Sequence, residues 1–330
     1  MSRSGPSVSA ASLLREEIAR SGPLRFSRFM EIALYHPEAG YYRRGRDPFG
    51  QRGDYYTAEQ LQPVFGILVA SLLRRLRREM GEPEDFTVVE LGAGRMEMAE
   101  ALSEFRYFPV ELGSPDWPER FRGVVFSNEF FDALPVDVAV RRGAEFVEML
   151  VDWRDGRFRW TEGAPLSGEH AAYAGRHLMK AAEGAWVEIG LEALCWMERV
   201  AGRLESGYVF TIDYGYTSRE LLRFPQGTLM SYRRHTALED VLADPGEQDI
   251  TAHAAFSALR EHGEELGLQT VRFETLAAAL ASAGEADGFA AALSAPTEAE
   301  RLRRRLQLKT LLFGLGETFR ALLQCKPPRS

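Results

Sequence analysis

Before residue 81, apolar positions recur at helical spacing three times. Leu13, Leu14 and Ile18 share a face within 8–20. Phe26, Phe29, Met30, Ala33 and Leu34 do so in "PLRFSRFMEIALYHP", and the stretch from Phe65 to Met80 supplies a third set. The spacing predicts three helices, with Ser9 or Ser12 as the first N-cap, Pro37 ending the second and Gly81-Glu82-Pro83 the third. Beyond residue 85 the pattern changes to short continuous apolar runs, "FTVVEL", "YFPVEL", "GVVFSNEFF" and "GYVFTIDYG", which read as buried strands. Between 136 and 160 polar and apolar residues alternate around Arg-Gly and Asp-Gly turn signals, predicting antiparallel hairpins inserted into a parallel sheet. Helices are expected over 167–182, 190–205, 252–266 and on to about 307, with a strand at 268–273 and "FRALLQCK" as a closing strand. Helices alternating with short apolar strands make the fold class α/β, with an open and mostly parallel sheet.

Between the second and third helices lies "EAGYYRRGRDPFGQRGDYYTAEQLQPVFG". A loop of that length in a compact chain tends to be either disordered or functional, and its four tyrosines argue against disorder. Asp54, Tyr55 and Thr57 in "GDYYT" could form a lid over a ligand; a turn that only packs its tyrosines is the alternative.

Composition narrows the function classes. Of 330 residues, 45% are hydrophobic, enough for a core that needs no disulfide or metal staple. The net charge of -8 argues against nucleic acid or an anionic membrane as the main partner, although basic runs occur at Arg74–Arg78 and Arg303–Arg305. Runs of this kind usually mark solvated helix faces. Cys195 and Cys325 stand far apart with no zinc or redox spacing, which fits a reducing compartment. No apolar stretch approaches the ~20 residues of a membrane span, and the first residues lack a hydrophobic signal core. The expected location is cytoplasmic.

The most informative local feature is "VVELGAGRMEMAEAL": a buried strand, a Gly-x-Gly turn, then an expected helix. In open parallel sheets this turn lies at the carboxyl edge, where ligands bind. The dinucleotide fingerprint needs a third glycine where this chain has Glu97. Carboxylates at Glu90 and Glu97 would repel a diphosphate, whereas a cationic ligand without phosphate, such as S-adenosylmethionine, tolerates them. Glu90, Gly92, Ala93 and Gly94 are therefore candidate cofactor contacts. Glu111 ends the next strand seventeen positions after Gly94, near the ~20-residue offset at which an acid reaches ribose hydroxyls. Met96 and Met98 read as packing residues.

The segments "GPLRFSRFMEIALYHPEAGYY", "GDYYT", "VVELGAGR", "SNEFFDALPV", "IDYGY", "YRRH" and "DPGEQDITAH", in this order, resemble the MidA family of S-adenosylmethionine-dependent methyltransferases. The resemblance runs from about residue 12 to 325. It implies a class I methyltransferase-like (Rossmann-like) sheet, with a helical cap and lid loop over 1–80. The methyltransferase-like domain would span 81–330 and carry an inserted hairpin and helical segment at about 136–206. It also implies S-adenosyl-L-methionine as cofactor, facing Gly92, Gly94 and Glu111. The implied partner is a protein substrate methylated on arginine, in this family a subunit of respiratory complex I. Two departures bear on the cofactor. Met96 stands where relatives have a further glycine, and only twelve positions separate Glu111 from Gly123, where relatives fit an extra helix and strand.

The segment "SNEFFDALPV" is too acidic and aromatic for a mere connector. A guanidine enters as a cation, so a carboxylate pair that grips two of its N–H groups can orient its third nitrogen. Glu129 and Asp132 are the proposed pair; Asn128 would orient a polar group of either ligand, Phe130 and Phe131 exclude water, and Pro135 stiffens the exit. Alternatively, Asp132 caps a short helix and the phenylalanines are core. Asp213, at the end of "VFTID", is a further strand-end carboxylate. His253 is a candidate base or hydrogen-bonding group. A metal site built on His235, Asp249 and His253 is not expected, because no fourth ligand suggests itself and Asp249 or Thr251 suits a helix N-cap. Two rivals remain: a non-catalytic assembly protein with a degraded cofactor site, and, less favoured, a nicotinamide-dependent oxidoreductase.

Overall fold

The computed structural model describes residues 8–43, 61–114, 117–233, 236–238 and 240–328. The chain divides into two compact units, each assembled from separate stretches. Strands and helices are numbered here in chain order.

One unit comprises Met1–Tyr56, Ala133–Ala193 and Tyr216–Ala255. It begins with α1 (Ala10–Ser21), where Ser9 and Ser12 form a reciprocal capping box. β1 (Leu24–Arg25) and α2 (Phe26–Tyr35) follow. β5 (Asp137–Arg142), β6 (Glu145–Arg154) and β7 (Arg157–Pro165) are the expected hairpins. They do not enter the parallel sheet, however. Together with β1 and β8 (Trp186–Ile189) they make an antiparallel sheet of their own, because β5 pairs with β8 on one side and β6 on the other. α4 (Gly168–His177) connects β7 to β8. A small sheet, β11 (Thr236–Leu238), β10 (Met230–Arg233) and β12 (Asp249–Thr251), and the two-residue β13 (Ala254–Ala255) complete the unit. Its core joins Leu14, Phe26, Phe29 and Met30 to Val138, Val151 and Ile250. Asp249 lies in a strand and accepts the Tyr42 hydroxyl at 2.7 Å; it caps no helix.

The second unit, Thr57–Asp132, Leu194–Gly215 and Phe256–Ser330, holds the parallel sheet. Its helices include α3 (Val64–Glu79), most of α5 (Leu191–Arg203), α6 (Phe256–Glu265) and α7 (Leu276–Gly284). α8 (Ala290–Leu293), α9 (Glu298–Thr310) and α10 (Gly316–Thr318) follow. The strands are β2 (Thr87–Leu91), β3 (Arg106–Val110), β4 (Phe121–Asn128), β9 (Leu204–Tyr216), β14 (Gln269–Thr275) and β15 (Phe319–Lys326). Their order is β14-β15-β9-β4-β2-β3, with β9, β4, β2 and β3 mutually parallel and β15 antiparallel to both its neighbours. "FRALLQCK" is thus the closing strand its pattern predicts. Among the described residues β3 pairs only with β2, so the short Glu111–Gly123 connection leaves no further strand on that edge.

The strands of this sheet are apolar on both faces because helices cover both, as in parallel sheets generally. Val88, Val124, Phe126, Phe210 and Ile212 are buried with Phe65, Leu73 and Leu280 from the helices. Burying each such side chain contributes ~2 kcal/mol. At the start of the sheet Thr87, Gly123 and Gly207 lie side by side. A Cβ on Gly123 would fall 1.9 Å from the Thr87 carbonyl oxygen, and one on Gly207 1.9 Å from that of Gly123, so neither glycine has room for a side chain.

Candidate functional site

From that row the strands run upward with unequal lengths. Leu91, Ser127 and Thr211 are level; β2 stops there, β4 goes on to Asn128 opposite Ile212, and β9 continues beyond. The carboxyl ends therefore carry the candidate residues at successive heights.

Beyond β2 the chain turns at Gly92, with φ +71, and the Gly92 amide donates to the Val110 carbonyl at 2.8 Å. A Cβ here would lie 2.9 Å from the Phe130 ring, so the glycine allows the aromatic loop after β4 to close against the turn. The Gly94 amide donates to a Glu111 carboxylate oxygen at 2.6 Å. Glu111, expected beside a ribose, thus lies at the glycine turn and is exposed there.

The expected helix after this turn is absent; residues 92–104 form successive turns. Met96 takes a left-handed φ of +62, and the amides of Met96 and Ala99 donate to carbonyls three residues back, a spacing tighter than that of an α-helix. Met96 thus adopts a backbone conformation natural to glycine, with its side chain 45% exposed. Met98 is packing, as expected, and fully buried.

Glu90 is buried at the end of β2, and the Tyr107 hydroxyl donates to its carboxylate. Burial pushes its pKa up to about 8; the Tyr107 hydrogen bond opposes this, and the negative fields of Glu97 and Glu111 add to it. Glu97 and Glu111 therefore form a negative neighbourhood around Glu90, which itself is largely protonated at neutral pH. Tyr107 gave no sequence signal, because an alternating strand contains many tyrosines without partners of this kind.

Beyond β4 the backbone turns at Glu129, a non-glycine residue with φ +52. Its amide donates to the Ile212 carbonyl at 3.0 Å, and its carboxylate accepts the Asn128 side-chain amide at 3.2 Å. No helix follows, so Asp132 caps none. The loop is instead held by the neighbouring β9: one oxygen of Asp213 accepts the amides of Phe131, at 2.9 Å, and Asp132, at 3.3 Å. Asp213 is fully buried, its carboxyl pKa raised first by burial and then by the Glu129 carboxylate. The other Asp213 oxygen and the Asn128 side-chain oxygen are both buried without a hydrogen-bond partner. Phe130 and Phe131 are buried and meet edge to face, and Phe130 also meets Trp196.

Asp213 thus has a larger part than a strand-end position alone implied, since it organises the loop that carries Glu129 and Asp132. His253 belongs to the other compact unit. There its amide donates to Thr228, its ring meets Phe224 edge-on, and burial lowers its pKa. Asp54, Thr57 and His235 fall outside the described residues, and among the described ones no group of three metal-binding side chains occurs.

The donor set suits S-adenosyl-L-methionine. The negative field of Glu97 and Glu111 favours a cation, and Glu111 offers acceptors for a diol. A diphosphate would meet the carboxylates of Glu97 and Glu111 together.

Comparison with known proteins agrees. Residues 110–274 match a family described as "Putative S-adenosyl-L-methionine-dependent methyltransferase". A crystal structure from Burkholderia thailandensis, described as a superfamily member and "likely methyl transferase" bound to S-adenosyl-homocysteine, is 31% identical. It covers 97% of this chain, which covers 92% of it, with a TM-score of 0.85. The protein arginine methyltransferase NDUFAF7 homolog of Drosophila melanogaster is 27% identical over 78% of this chain and 71% of its own. Its counterpart in Xenopus tropicalis is 26% identical over 77% and 71%. Both relatives are named as mitochondrial, which overturns the expectation of a cytoplasmic location; neither cysteine usage nor a missing apolar signal core separates those compartments. The fold is that of class I methyltransferases, the cofactor is S-adenosyl-L-methionine, and the chain belongs to this S-adenosyl-L-methionine-dependent methyltransferase family.

Proposed function

We propose that the chain methylates an arginine side chain of a protein, and that the loop from Asn128 to Asp132 presents the guanidine. The observation that carries this reading is the placement of Glu129 at the end of β4, turned by a positive φ, with the residues after it anchored on Asp213 of β9. The names of the relatives support the choice of arginine.

Bound S-adenosyl-L-methionine supplies an electrophilic methyl carbon on a sulfonium. Gly92, Ala93 and Gly94 would line its amino-acid half, with Glu90 beneath and Glu111 toward the ribose. Glu129 holds the guanidinium by charge-assisted hydrogen bonds and takes up the proton that the nitrogen must lose. Asp132 is the second acceptor, Asn128 fixes the orientation of Glu129, and Phe130 and Phe131 keep water out. Asp213 stays in place as the anchor, its carboxyl pKa raised first by burial and then by the Glu129 carboxylate. The proposed partner is a subunit of respiratory complex I, the substrate class that the family resemblance implies.

The test is methylation of a mitochondrial extract with isotope-labelled S-adenosyl-L-methionine, followed by mass spectrometry of the labelled peptides. Labelled methylarginine is the expected product, and label confined to lysine or carboxylates would overturn the reading. Glu129→Gln should lower transfer by about 100-fold and leave calorimetric binding of S-adenosyl-homocysteine unchanged.

A further inference from the structure

α9 presents two unlike faces. Gln307 is buried and Arg301, Arg304 and Leu308 are half-buried, which fixes the inward side. At 3.6 residues per turn the outward side is then centred on Leu302 and Leu306, which are 54% and 57% exposed. Arg303 flanks this pair on one side, and Arg305 and Lys309 on the other. α9 ends in a π-helical turn, Leu311–Leu315, whose Phe313 is 79% exposed. π-turns of this kind occur frequently at functional sites.

Nothing in the methyl-transfer site uses these residues. Among the described residues Arg303 and Lys309 form no hydrogen bond or ion pair, and Arg305 reaches Glu298 only at 3.6 Å. From Glu298 to Thr310 five cations stand against two carboxylates, although the chain as a whole is acidic. Apolar side chains along the middle of a helix, edged by arginine and lysine, form the pattern by which helices lie in a lipid interface. The long basic side chains reach the headgroups while leucine and phenylalanine enter the acyl boundary. A helix face is convex, so it enters a soft planar surface directly, whereas a protein partner would need a matching groove.

We propose that α9 and the turn after it attach the protein to an anionic lipid bilayer, with Leu302, Leu306 and Phe313 inserted and Arg303, Arg305 and Lys309 on the headgroups. The attachment is peripheral, since no described helix is long and apolar enough to cross a membrane. It does not depend on the methyl-transfer reading.

The test is co-sedimentation of the full chain with vesicles of phosphatidylcholine, with and without one-third phosphatidylglycerol, at low and high salt. The protein should pellet with the anionic vesicles only, and less at high salt. The double variant Arg303→Glu/Lys309→Glu should weaken binding by at least about tenfold. Leu306→Ser/Phe313→Ser should weaken it too, with unfolding midpoints unchanged. Failure to pellet with anionic vesicles at low salt would overturn the proposal, as would undiminished binding by either variant. Self-association in solution that Leu306→Ser/Phe313→Ser abolishes, without vesicle binding, would instead assign the face to a second copy of the chain.

Discussion

Two strand ends frame the site, and they turn the chain by opposite means. After β2 the turn uses glycine: Gly92 adopts positive φ without steric cost, and its missing Cβ admits Phe130. After β4 the turn falls on Glu129, which has a side chain to accommodate in a left-handed conformation that costs ~1–2 kcal/mol. That cost is offset by tying the next residues to a buried carboxyl, Asp213. The first turn is permissive and makes room for the Phe130 ring. The second is imposed, and it aims a functional group.

The comparison breaks most readily at Asp213. Asp213→Ala leaves two buried amides without an acceptor and should cost ~2–4 kcal/mol in denaturant unfolding. With the loop released, methyl transfer should fall by at least about 100-fold. Asp213→Asn keeps an acceptor for both amides and should stay within ~1 kcal/mol of wild type. An Asn variant as damaged as Ala would show that the charge, and not the anchor, matters.

Gly92→Ala tests the permissive turn. The added carbon meets Phe130 and a disfavoured φ, so S-adenosyl-homocysteine affinity by calorimetry should drop about tenfold or more. Undiminished affinity would show that the turn does not line the cofactor.

Glu90→Gln sharpens the electrostatic side. A carboxyl whose folded pKa is raised to about 8 has its stability contribution intact below its unfolded pKa, and loses it as pH rises through the folded one. Wild type should therefore weaken against the Gln variant by a few kcal/mol, on the order of 1–3, as pH rises from about 5 to about 8. Parallel profiles in paired melts would contradict the buried-acid assignment.

The smallest effect is expected at Met96. Met96→Gly relieves the left-handed strain and should raise stability by up to ~1 kcal/mol, whereas Met96→Ala should not. Equal melting temperatures for the two variants would show that no strain is stored there.

Much of this was legible in the sequence where a single local signal sufficed. The apolar runs of β2, β4 and β9 locate the buried strands, and "FRALLQCK" the closing one. The helix expected after Gly94 failed because one left-handed residue overrides good helix formers such as Glu97, Met98 and Ala99. The hairpins of 136–160 were visible, but their separate sheet was not, since β8 is only four residues long and pairs across fifty positions. β10–β12 are shorter still. In the site, Glu129 and Asp132 stood out by composition. The role of Asp213 did not, because it acts on backbone amides some eighty positions earlier, and no spacing rule reports such a contact.

The glycine row at the foot of the sheet has a consequence for how the site can evolve. Thr87, Gly123 and Gly207 act as a common datum, so each strand's length alone sets the height at which its terminal acid is delivered. Inserting one residue between Gly123 and Asn128 would send Glu129 to the opposite face of the sheet, while inserting two would restore its side but lift it by about 7 Å. Variation in what these enzymes accept is thus expected in the loops above the strands, with the count of residues below them held constant.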